Sequence, residues 1–427
     1  MANLHKIIII GGGAGGLELA TQLGDSLGKK QKAEIILVDQ KLTHIWKPLL
    51  HEIAAGTLNP HEEEINYFAH ATKHHYRFIL GKFIALNAKS KQIKLQTTHH
   101  SKLDQIVHTQ LDYDTLVFAI GSTSNDFNTE GVKQHCHFLD SRQQADVFHE
   151  DLLSLYLDAQ HATTERELNI AIIGAGATGV ELAAELVNAK ENFSQYGLNK
   201  INKDKVHIHL IEASPRILPA LSDNIAQATH LQLERLAIQI HTEHRVAKVD
   251  ENTVHFADGS NLATDITVWA AGVKAPAVLA SLEEFERDNI NRLKVYNTLQ
   301  TKTDPNIFAF GDCAHCQPLS DESVLGPRAQ VASQQASFLV TTLKARIKNQ
   351  PLPMFKFFDK GSLVSLSKSK AVGNVLGVVN VQGVLAKTMY VSLYRIHQAH
   401  IHGYTYTGIL TAKDLITRKL APKLKLH

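Results

Sequence analysis

Two segments of the sequence carry glycines at a fixed spacing with an acidic residue downstream. In the first, Gly11, Gly13 and Gly16 fit the pattern G-x-G-x-x-G, and Asp39 follows. Glycines so spaced permit a tight turn and a close approach of backbone to a pyrophosphate, and the acid can accept hydrogen bonds from a ribose. The residues assigned to this first glycine loop and its acid are Gly11, Gly13, Ala14, Gly15, Gly16, Asp39 and Gln40.

The second segment repeats this arrangement further along the chain. Gly174, Gly176 and Gly179 fit the same pattern, and Glu212 takes the place of the acid. Two such sites predict two dinucleotides. A carboxylate here accepts the 2'-hydroxyl of NAD and repels the extra phosphate of NADP, so Glu212 favours NADH, although Arg216 is near enough to leave the preference open. The residues assigned to this second glycine loop are Gly174, Gly176, Thr178, Gly179, Glu181 and Glu212.

Each glycine loop needs a strand before it and a helix after it, because these elements aim the loop at the phosphates. Apolar, β-branched runs predict strands over 6–10 and 168–173, and the runs after the loops predict helices from 17 and 180. The acids follow further predicted strands. The predicted fold class is therefore α/β, with two Rossmann-like dinucleotide-binding domains. Without the flanking elements, a glycine match would indicate only a turn that binds no ligand.

The composition of the chain narrows the class of protein. Its 427 residues suffice for two or three domains, and 44% hydrophobic with 20% charged residues excludes a disordered protein. A net charge of +2 argues against a nucleic-acid binder. Three cysteines favour a reducing compartment, and the 25 histidines show no metal-ligand spacing, so we predict no metal site. No run approaches the ~20 apolar residues of a spanning helix, and residues 371–386 suit a strand pair better.

A third motif indicates which proteins the chain resembles. Residues 303–312 read as a turn, an apolar strand and a Gly-Asp step into a helix, and strand-plus-glycine segments occur at 115–121 and 267–272. The sequence thereby resembles the two-dinucleotide-binding-domain flavoproteins, the glutathione-reductase-like superfamily. The resemblance implies one non-covalent FAD at the first loop and NADH, as substrate, at the second, with Asp312 on the ribityl chain. It adds Gly121, Gly311 and Asp312 to the FAD site, and Ala271 and Gly272 to the NADH site.

The same resemblance implies a division into domains. We expect a discontinuous FAD-binding domain over 1–165 and 290–355, with an NADH-binding domain over 166–289 between its two parts. Residues 356–427 are then expected to form a small C-terminal subdomain with a strand pair and amphipathic membrane-anchoring helices.

A predicted helix beginning near Pro327 carries two glutamines, Gln330 and Gln334, on one face. The segment resembles the A-Q-x-A-x-Q motif of the type II (alternative) NADH:quinone oxidoreductases, in which the glutamines line the quinone site beside the flavin. An ordinary solvated glutamine face is the alternative. Residues 46–56 are also similar to the family's segment that packs against the flavin, with Trp46 as part of an apolar wall. These resemblances assign Gln330 and Gln334 to the quinone, and Pro48, Leu49, Ala329 and Gln330 to FAD.

Glu181 stands early in the helix that follows the second glycine loop. The helix dipole favours a carboxylate there and a pyrophosphate repels it, so we expect its side chain to point away, toward the nicotinamide. In the family the matching Glu lies between nicotinamide, flavin and quinone. Quinone reduction consumes two protons and a hydride delivers one, so a carboxylate nearby could relay the other. A Glu that merely begins a helix is the alternative.

These features predict an enzyme that passes electrons from NADH through FAD to ubiquinone or menaquinone without pumping protons. Three alternatives stay open. Cys313 and Cys316 could be the redox pair of a disulfide reductase, although they stand at the start of a predicted helix and outside that group's usual positions. A sulfide:quinone oxidoreductase needs cysteines that flank the flavin, a pattern that Cys136, Cys313 and Cys316 do not match. A redox sensor would bind FAD and NADH with little turnover.

The C-terminal stretch differs in charge from the rest of the chain. Residues 385–427 hold seven basic residues and one acid, a net charge of +6 that leaves −4 for the remainder. Apolar and aromatic residues at helical spacing between these charges favour an interfacial helix on an anionic bilayer. Residues 390–427 also resemble the membrane-anchoring C-terminus of the proteobacterial type II enzymes, which implies a peripheral protein on the cytoplasmic face of the inner membrane. A dimerisation helix pair is the alternative; both can hold, and we expect a homodimer.

Deletion from about Leu385 is therefore expected to release a soluble flavoprotein. The charged residues of the stretch are Lys387, Arg395, Lys413, Asp414, Arg418, Lys419, Lys423 and Lys425. Its apolar and aromatic residues include Met389, Tyr390, Leu393, Tyr394, Ile396, Tyr404, Tyr406, Ile409, Leu410, Leu415 and Ile416.

Overall fold

The computed structural model describes residues 4–98, 106–164, 166–192, 198, 200–318, 324–366, 370–375 and 379–417. Its helices, in chain order, are α1 (Ala14–Leu23), α2 (Leu50–Ala54), α3 (Pro60–Glu63), α4 (Tyr67–Lys73), α5 (Val132–His135), α6 (Arg142–His161), α7 (Ala177–Lys190), α8 (Asp223–Arg235), α9 (Ala329–Ile347), α10 (Gly383–His402) and α11 (Tyr404–Thr417).

A five-stranded parallel sheet holds the first glycine loop. Its strands, in spatial order, are Ile307–Ala309, Thr115–Phe118, His5–Ile10, Ala33–Asp39 and Arg77–Leu80. The isoleucines at 7–10 are all buried, as expected of a parallel strand covered on both faces. Because all five strands run the same way, the residues that follow them meet at one edge.

A four-stranded parallel sheet holds the second glycine loop. Its strands, in spatial order, are Gln239–His241, Val206–Ile211, Leu168–Ile173 and Ile266–Trp269. This sheet and the first confirm the predicted α/β class. Helices α1 and α7 each begin three residues before the apolar runs suggested, because each helix starts directly at its glycine loop.

Shorter sheets complete the described part of the chain. They are formed by Thr43–His44 with Ile65–Asn66; Lys82–Asn87, Gln92–Thr98 and Ile106–Asp112; Thr123–Ser124 with Val273–Lys274; Val246–Asp250, Thr253–Phe256 and Asn261–Ala263; Leu293–Lys294 with Ala314–His315; and Gly361–Ser365, Ala371–Val375 and Val379–Gln382. The strand pair expected within 371–386 is therefore present, and a third strand extends it.

The prediction of a helix directly after Asp312 is wrong. Residues Gly311–Cys313 make a single 3₁₀ turn, and Ala314–His315 then pair with Leu293–Lys294. The thiol of Cys313 lies 3.3 Å from the carbonyl oxygen of Phe310, which ties it into the turn. Pro318 follows shortly afterwards and disfavours a helix here. The next helix is α9, whose first residue is Ala329.

Helices α10 and α11 end the described chain. Helix α10 packs on the last three-stranded sheet and on α1, and its Ile401 is fully buried in the core of the first sheet. Other side chains of the two helices are exposed, among them Leu385, Leu393, Ile396, Tyr404, Ile409 and Ile416. Among the described helices, none is long and apolar enough to cross a membrane. Residues 418–427, with four of the basic residues in the predicted anchor, lie outside the described residues.

Candidate active site

The first glycine loop lies at the carboxyl edge of the five-stranded sheet. Gly11 has a φ of +101°, and a Cβ there would overlap the carbonyl group of Ala119, which directly follows the neighbouring strand. A Cβ on Gly16 would overlap the carbonyl oxygen of Gly11. Gly13 differs, because no atom lies within 4 Å of the position of its Cβ. Open space therefore lies before the N-terminus of α1, where a pyrophosphate is favoured.

The second glycine loop has the same geometry. Gly174 has a φ of +105° and lies against the backbone of Ala271, and a Cβ on Gly179 would overlap the carbonyl oxygen of Gly174. Gly176 precedes α7 and faces open space, as Gly13 does before α1. The two loops thus fit two dinucleotide pyrophosphates.

The acids that follow the two loops are held alike. In each, one carboxylate oxygen accepts a hydrogen bond from an amide of the glycine loop, and the other accepts one from the amide two residues further on. The donors are the amides of Gly12 (2.6 Å) and Lys41 (2.8 Å) to Asp39, and those of Ala175 (2.9 Å) and Ser214 (2.9 Å) to Glu212. Each carboxylate is thereby fixed beside its loop, where a ribose would lie.

The guanidinium of Arg216 bonds to its own loop. It donates to the carbonyl oxygens of Leu218 (3.3 Å), Pro219 (3.2 Å) and Leu221 (3.0 Å). It also pairs with Asp223 at 3.2 Å. The arginine therefore stabilises the loop 216–221, and its charge is paired with that of Asp223.

Asp312 lies at the same edge of the first sheet as Gly121. The hydroxyl of Ser122 donates to Asp312 at 2.8 Å, and the amide of Gly311 donates to Gln335 of α9 at 2.8 Å. Gly121, with a φ of +68°, faces open space. The FAD residues predicted at the ends of separate strands therefore lie along one edge.

The remaining predicted loop residues divide by exposure. Gln40, Thr178, Gly272 and Ala329 are exposed and accessible to a ligand, Ala14, Pro48 and Ala271 are half-buried, and Leu49 is buried. Gly15 serves packing, because a Cβ there would strike the ring of Phe310 and approach Ala332 of α9.

The segment 358–365, which ends in the strand Gly361–Ser365, connects the three residues predicted to be catalytic. At its start, Gln330 accepts from the amide of Lys360 (2.7 Å) and donates to the carbonyl oxygen of Gly361 (3.0 Å). Gln334 both donates to the carbonyl oxygen of Phe358 (2.8 Å) and accepts from its amide (3.1 Å). The glutamines thus hold backbone and do not form a solvated face.

At the other end of this strand, the amide of Ser365 donates to Glu181 at 3.0 Å. Four residues of extended chain span about 13 Å, so Glu181 and the glutamines lie at opposite ends of one strand and do not touch. The strand is the element that brings the α9 and α7 residues into one site.

Glu181 is buried, and burial raises the pKa of its carboxyl to about 8. The nearby charge of Glu52 raises this pKa further, whereas the ammonium of Lys387 opposes the shift. The ring of His51 lies 3.6 Å from the carboxylate, and burial lowers the pKa of His51 to about 3. Tyr390 of α10 lies beside Glu181, whose charge adds to the rise in the pKa of the buried phenol.

Comparison with known proteins agrees with this geometry. Residues 5–336 match the pyridine nucleotide-disulphide oxidoreductase family. The chain is 41% identical to a type II NADH:quinone oxidoreductase of Haemophilus influenzae, over 99% of this chain and 100% of that protein. It is 29% identical to the type II NADH:quinone oxidoreductase Ndh of Mycobacterium tuberculosis, with 94% and 85% covered. The chain belongs to the type II NADH:quinone oxidoreductases.

A solved structure shares the fold. NDH2 from Plasmodium falciparum, in complex with NADH, matches with a TM-score of 0.84 at 21% identity, over 99% of this chain and 100% of that one. The predicted family and fold class are thus confirmed, whereas the predicted domain boundaries and site residues stay predictions.

Trp46, predicted to form part of an apolar wall beside the flavin, is covered by α10. Its ring stacks on Tyr394 (4.9 Å between centroids) and on His397 (5.5 Å), both in α10. Pro48 and Leu49 lie in the 3₁₀ turn Lys47–Leu49 that leads into α2. The segment predicted to pack against the flavin therefore also forms the platform for α10.

The cysteines lack the features of a redox pair. Cys313 and Cys316 are buried free thiols, and burial raises their pKa values to about 12 and about 11. A nucleophilic thiol needs the opposite shift. In the described ranges, no group of three or more His, Cys, Asp or Glu side chains could hold a metal ion.

Sequence reasoning missed His51 and Gln335. Gln335 falls four residues from both Val331 and Leu339 on the buried face of α9, and a polar residue among apolar ones on such a face requires a partner. His51 and Glu52 form a similar signal, because they are adjacent titratable residues within the apolar helix α2.

Proposed function

We propose that this protein oxidises NADH and reduces a membrane quinone, with one FAD between them and without pumping protons. The observation that supports this most is the segment 358–365, which connects Gln330 and Gln334 beside the first glycine loop to Glu181 beside the second. One site thus has access to both loops and carries both amide and carboxyl groups.

The chain contributes chiefly position. When bound, FAD supplies the chemistry that takes a hydride from NADH and passes two electrons onward. The glycine loops hold the pyrophosphates, Asp39 and Glu212 hold the riboses, and Asp312 orients the ribityl chain. Rings held in stacking distance need no nucleophile from the protein.

Glu181 supplies the proton that the hydride does not. The overall reaction, NADH + H⁺ + quinone → NAD⁺ + quinol, takes one proton from solvent. With a pKa of about 8, the Glu181 carboxyl is mostly protonated at neutral pH, so it can give this proton to the quinone oxygen. Gln330 orients the strand that holds Glu181, and Gln334 holds the segment that leads into it.

For membrane attachment we propose that α10 and α11 lie on an anionic bilayer at the cytoplasmic face of the inner membrane, and that the protein is a homodimer. The exposed apolar residues of these helices support this. Lys387, Arg395 and Lys413 contact Ser365, Asp414 and Glu62 within the chain. Attachment through the described part therefore rests on apolar contact more than on charge.

The test is anaerobic stopped-flow absorbance of the purified holoenzyme. NADH should bleach the visible band of the bound flavin, and a soluble quinone should restore it within a single turnover. Restoration only by a disulfide would point to a disulfide reductase. Bleaching by sulfide would point to a sulfide:quinone oxidoreductase, and slow restoration by every acceptor to a redox sensor. The buried, high-pKa thiols argue against the first two.

A further inference from the structure

We propose that His51 is a positioning residue that connects the buried Glu181 with solvent through Glu52, so that Glu181 regains its proton by this route after each turnover. This inference rests on the proposed function, because it concerns how the proton used on the quinone is replaced.

The three side chains form a line from the buried Glu181, past the buried His51, to the partly exposed Glu52. His51 Nδ1 lies 3.6 Å from Glu181 Oε2, and His51 Nε2 lies 3.9 Å from Glu52 Oε1. The side chains of Glu181, His51 and Glu52 are 8%, 2% and 21% exposed. Both distances exceed hydrogen-bond length, and the ring also hydrogen-bonds the backbone of Pro48. A movement of the ring away from Pro48 would therefore close the contact with Glu181.

The burial of the His51 ring costs free energy of folding, because one of its nitrogens has no hydrogen-bond partner in the part of the chain that the structure describes. Its neighbours Leu50, Ile53 and Ala54 in α2 are buried in the core that α2 shares with α7. Within the described residues, His51 Nε2 makes no hydrogen bond. A buried polar atom without a partner costs about 1–3 kcal/mol, and such atoms are rare in folded proteins.

The chemistry of the ring suits this route. Because burial lowers the pKa of His51 to about 3, the imidazole is neutral, with one nitrogen that donates and one that accepts. The Glu52 carboxylate first takes a proton from solvent. After Glu181 gives its own proton to the quinone, the Glu181 carboxylate takes the proton on His51 Nδ1, and Nε2 takes the new proton from Glu52, which becomes a carboxylate again. Rotation of the ring then turns the protonated nitrogen back toward Glu181 and the unprotonated nitrogen toward Glu52. One proton moves inward, and no electron moves.

Other charged and titratable groups surround Glu181 on the remaining elements. Lys387 and Tyr390 lie on α10, and the Lys387 ammonium donates to the hydroxyl of Ser365 at 2.6 Å. Glu185 lies one turn further along α7, where it accepts from Thr57 (3.0 Å). Lys387 marks the other approach to Glu181. Its ammonium lowers the pKa of both His51 and Glu181. The positive charge therefore favours loss of the Glu181 proton over arrival of a new proton from the α10 side.

The experiment compares H51A, H51N and E52Q with the wild-type holoenzyme, and uses H255N and E34Q as controls. His255 and Glu34 lie in ion pairs away from α2 and α7. The rate at which quinone restores the flavin band is measured from pH 6 to pH 9, separately from the rate of bleaching by NADH. Retention of FAD and the melting temperature identify any variant that misfolds, and H51N keeps a polar group at the position of Nδ1.

We expect H51A, H51N and E52Q to slow the restoration of the flavin band by quinone at least about tenfold at high pH, where Glu181 is deprotonated. The rate of bleaching by NADH should be unchanged. Added imidazole should rescue H51A and not E52Q. In infrared difference spectra, the carboxyl band assigned by its loss in E181Q should titrate at lower pH in E52Q, because the charge of Glu52 raises the pKa of Glu181.

Wild-type restoration rates in the folded H51A, H51N and E52Q variants would overturn the inference. Loss of the pH dependence in K387M alone would also overturn it and would place proton entry on the α10 side. Failure of quinone to restore the flavin in the wild-type enzyme is a different result, because it contradicts the proposed function itself.

Discussion

Asp39 and Glu212 are the residues predicted to bind a ribose at the two sites, and Glu212 is predicted to select NADH over NADPH. Both are pinned by two backbone amides, so neither carboxylate can turn away from an added phosphate. For Glu212, the one nearby cation that the sequence left open as a phosphate ligand, Arg216, is bound to carbonyl oxygens and Asp223. The preference for NADH over NADPH is therefore predicted to depend on a single negative charge.

Replacement of that charge should weaken the discrimination. In E212Q, the amide keeps the side-chain shape but no longer repels a 2'-phosphate, so we expect the ratio of kcat/KM for NADH to that for NADPH to fall about tenfold. Steady-state kinetics with both nucleotides measure it. E251Q, at an exposed turn of the same region, is the control. An unchanged ratio in E212Q would show that another group reads the 2'-position.

Helix α10 attaches to the body through histidines on both surfaces. His397 Nε2 lies 3.3 Å from His44 Nε2, and His70 Nε2 lies 3.2 Å from the carbonyl oxygen of Ile401. Burial lowers the pKa of His44 to about 4 and that of His70 to about 3, and lowers that of His397 as well. The packing of α10 on the body thus requires that these histidine rings be neutral. No pattern in the sequence indicated this requirement.

The docking of α10 should therefore weaken in acid. Since the folded pKa values lie below the ordinary 6.5, the stabilisation is complete above pH 6.5 and is lost as pH falls toward 4. At pH 5.5 each of His44 and His70 should cost about 1.4 kcal/mol. His400, whose pKa the Glu18 carboxylate raises, acts in the opposite sense.

Hydrogen exchange of the α10 amides at pH 7.5 and pH 5.5 measures this effect as a change in protection factor. The loss of protection should shrink by about 1.4 kcal/mol in H70Q, which cannot gain a proton, and should persist in the exposed control H108Q. Equal losses in H70Q and the wild-type protein would show that His70 does not carry the effect.

The whole molecule combines a body that carries the two glycine loops with a C-terminal segment of two helices. The two helices differ in how closely they pack against that body. Helix α10 places Lys387 and Tyr390 at the Glu181 site and buries Ile401, so it belongs to the body. Helix α11 is held by Lys413 with Glu62, by Asp414 with Arg395, and by the ring of Tyr406 against the ammonium of Lys73. Deletion from Leu385, as the sequence suggested, would remove part of the site, and the structure moves the cut to Gly403.

Truncation after Gly403 should thus separate anchoring from folding. We expect the shortened protein to retain FAD and bleaching by NADH, and to lose at least about tenfold of its affinity for vesicles with anionic lipids, because α11 and the basic end are removed. Vesicle flotation measures the binding. A shortened chain that floats as well as the full chain would place the anchor on α10 or elsewhere in the body.

Local pattern alone determined the two glycine loops, their flanking strands and helices, and the acids that follow them. These features depend on neighbours within about 40 residues, where periodicity and turn chemistry decide the structure. The family motif around Gln330 and Gln334 was equally local. The single error in this part, the helix after Asp312, arose because pairing with Leu293–Lys294 overrode a local preference.

Only the tertiary structure decided what surrounds Glu181. Ser365 lies 184 residues away in sequence, and His51 and Tyr390 come from opposite ends of the chain. The raised pKa of Glu181 and the neutral state of His51 both follow from burial, which is a property of the packed molecule. The sequence by itself determined that two dinucleotides bind, because each loop is complete within a short segment, and packing decided how a proton reaches the site between them.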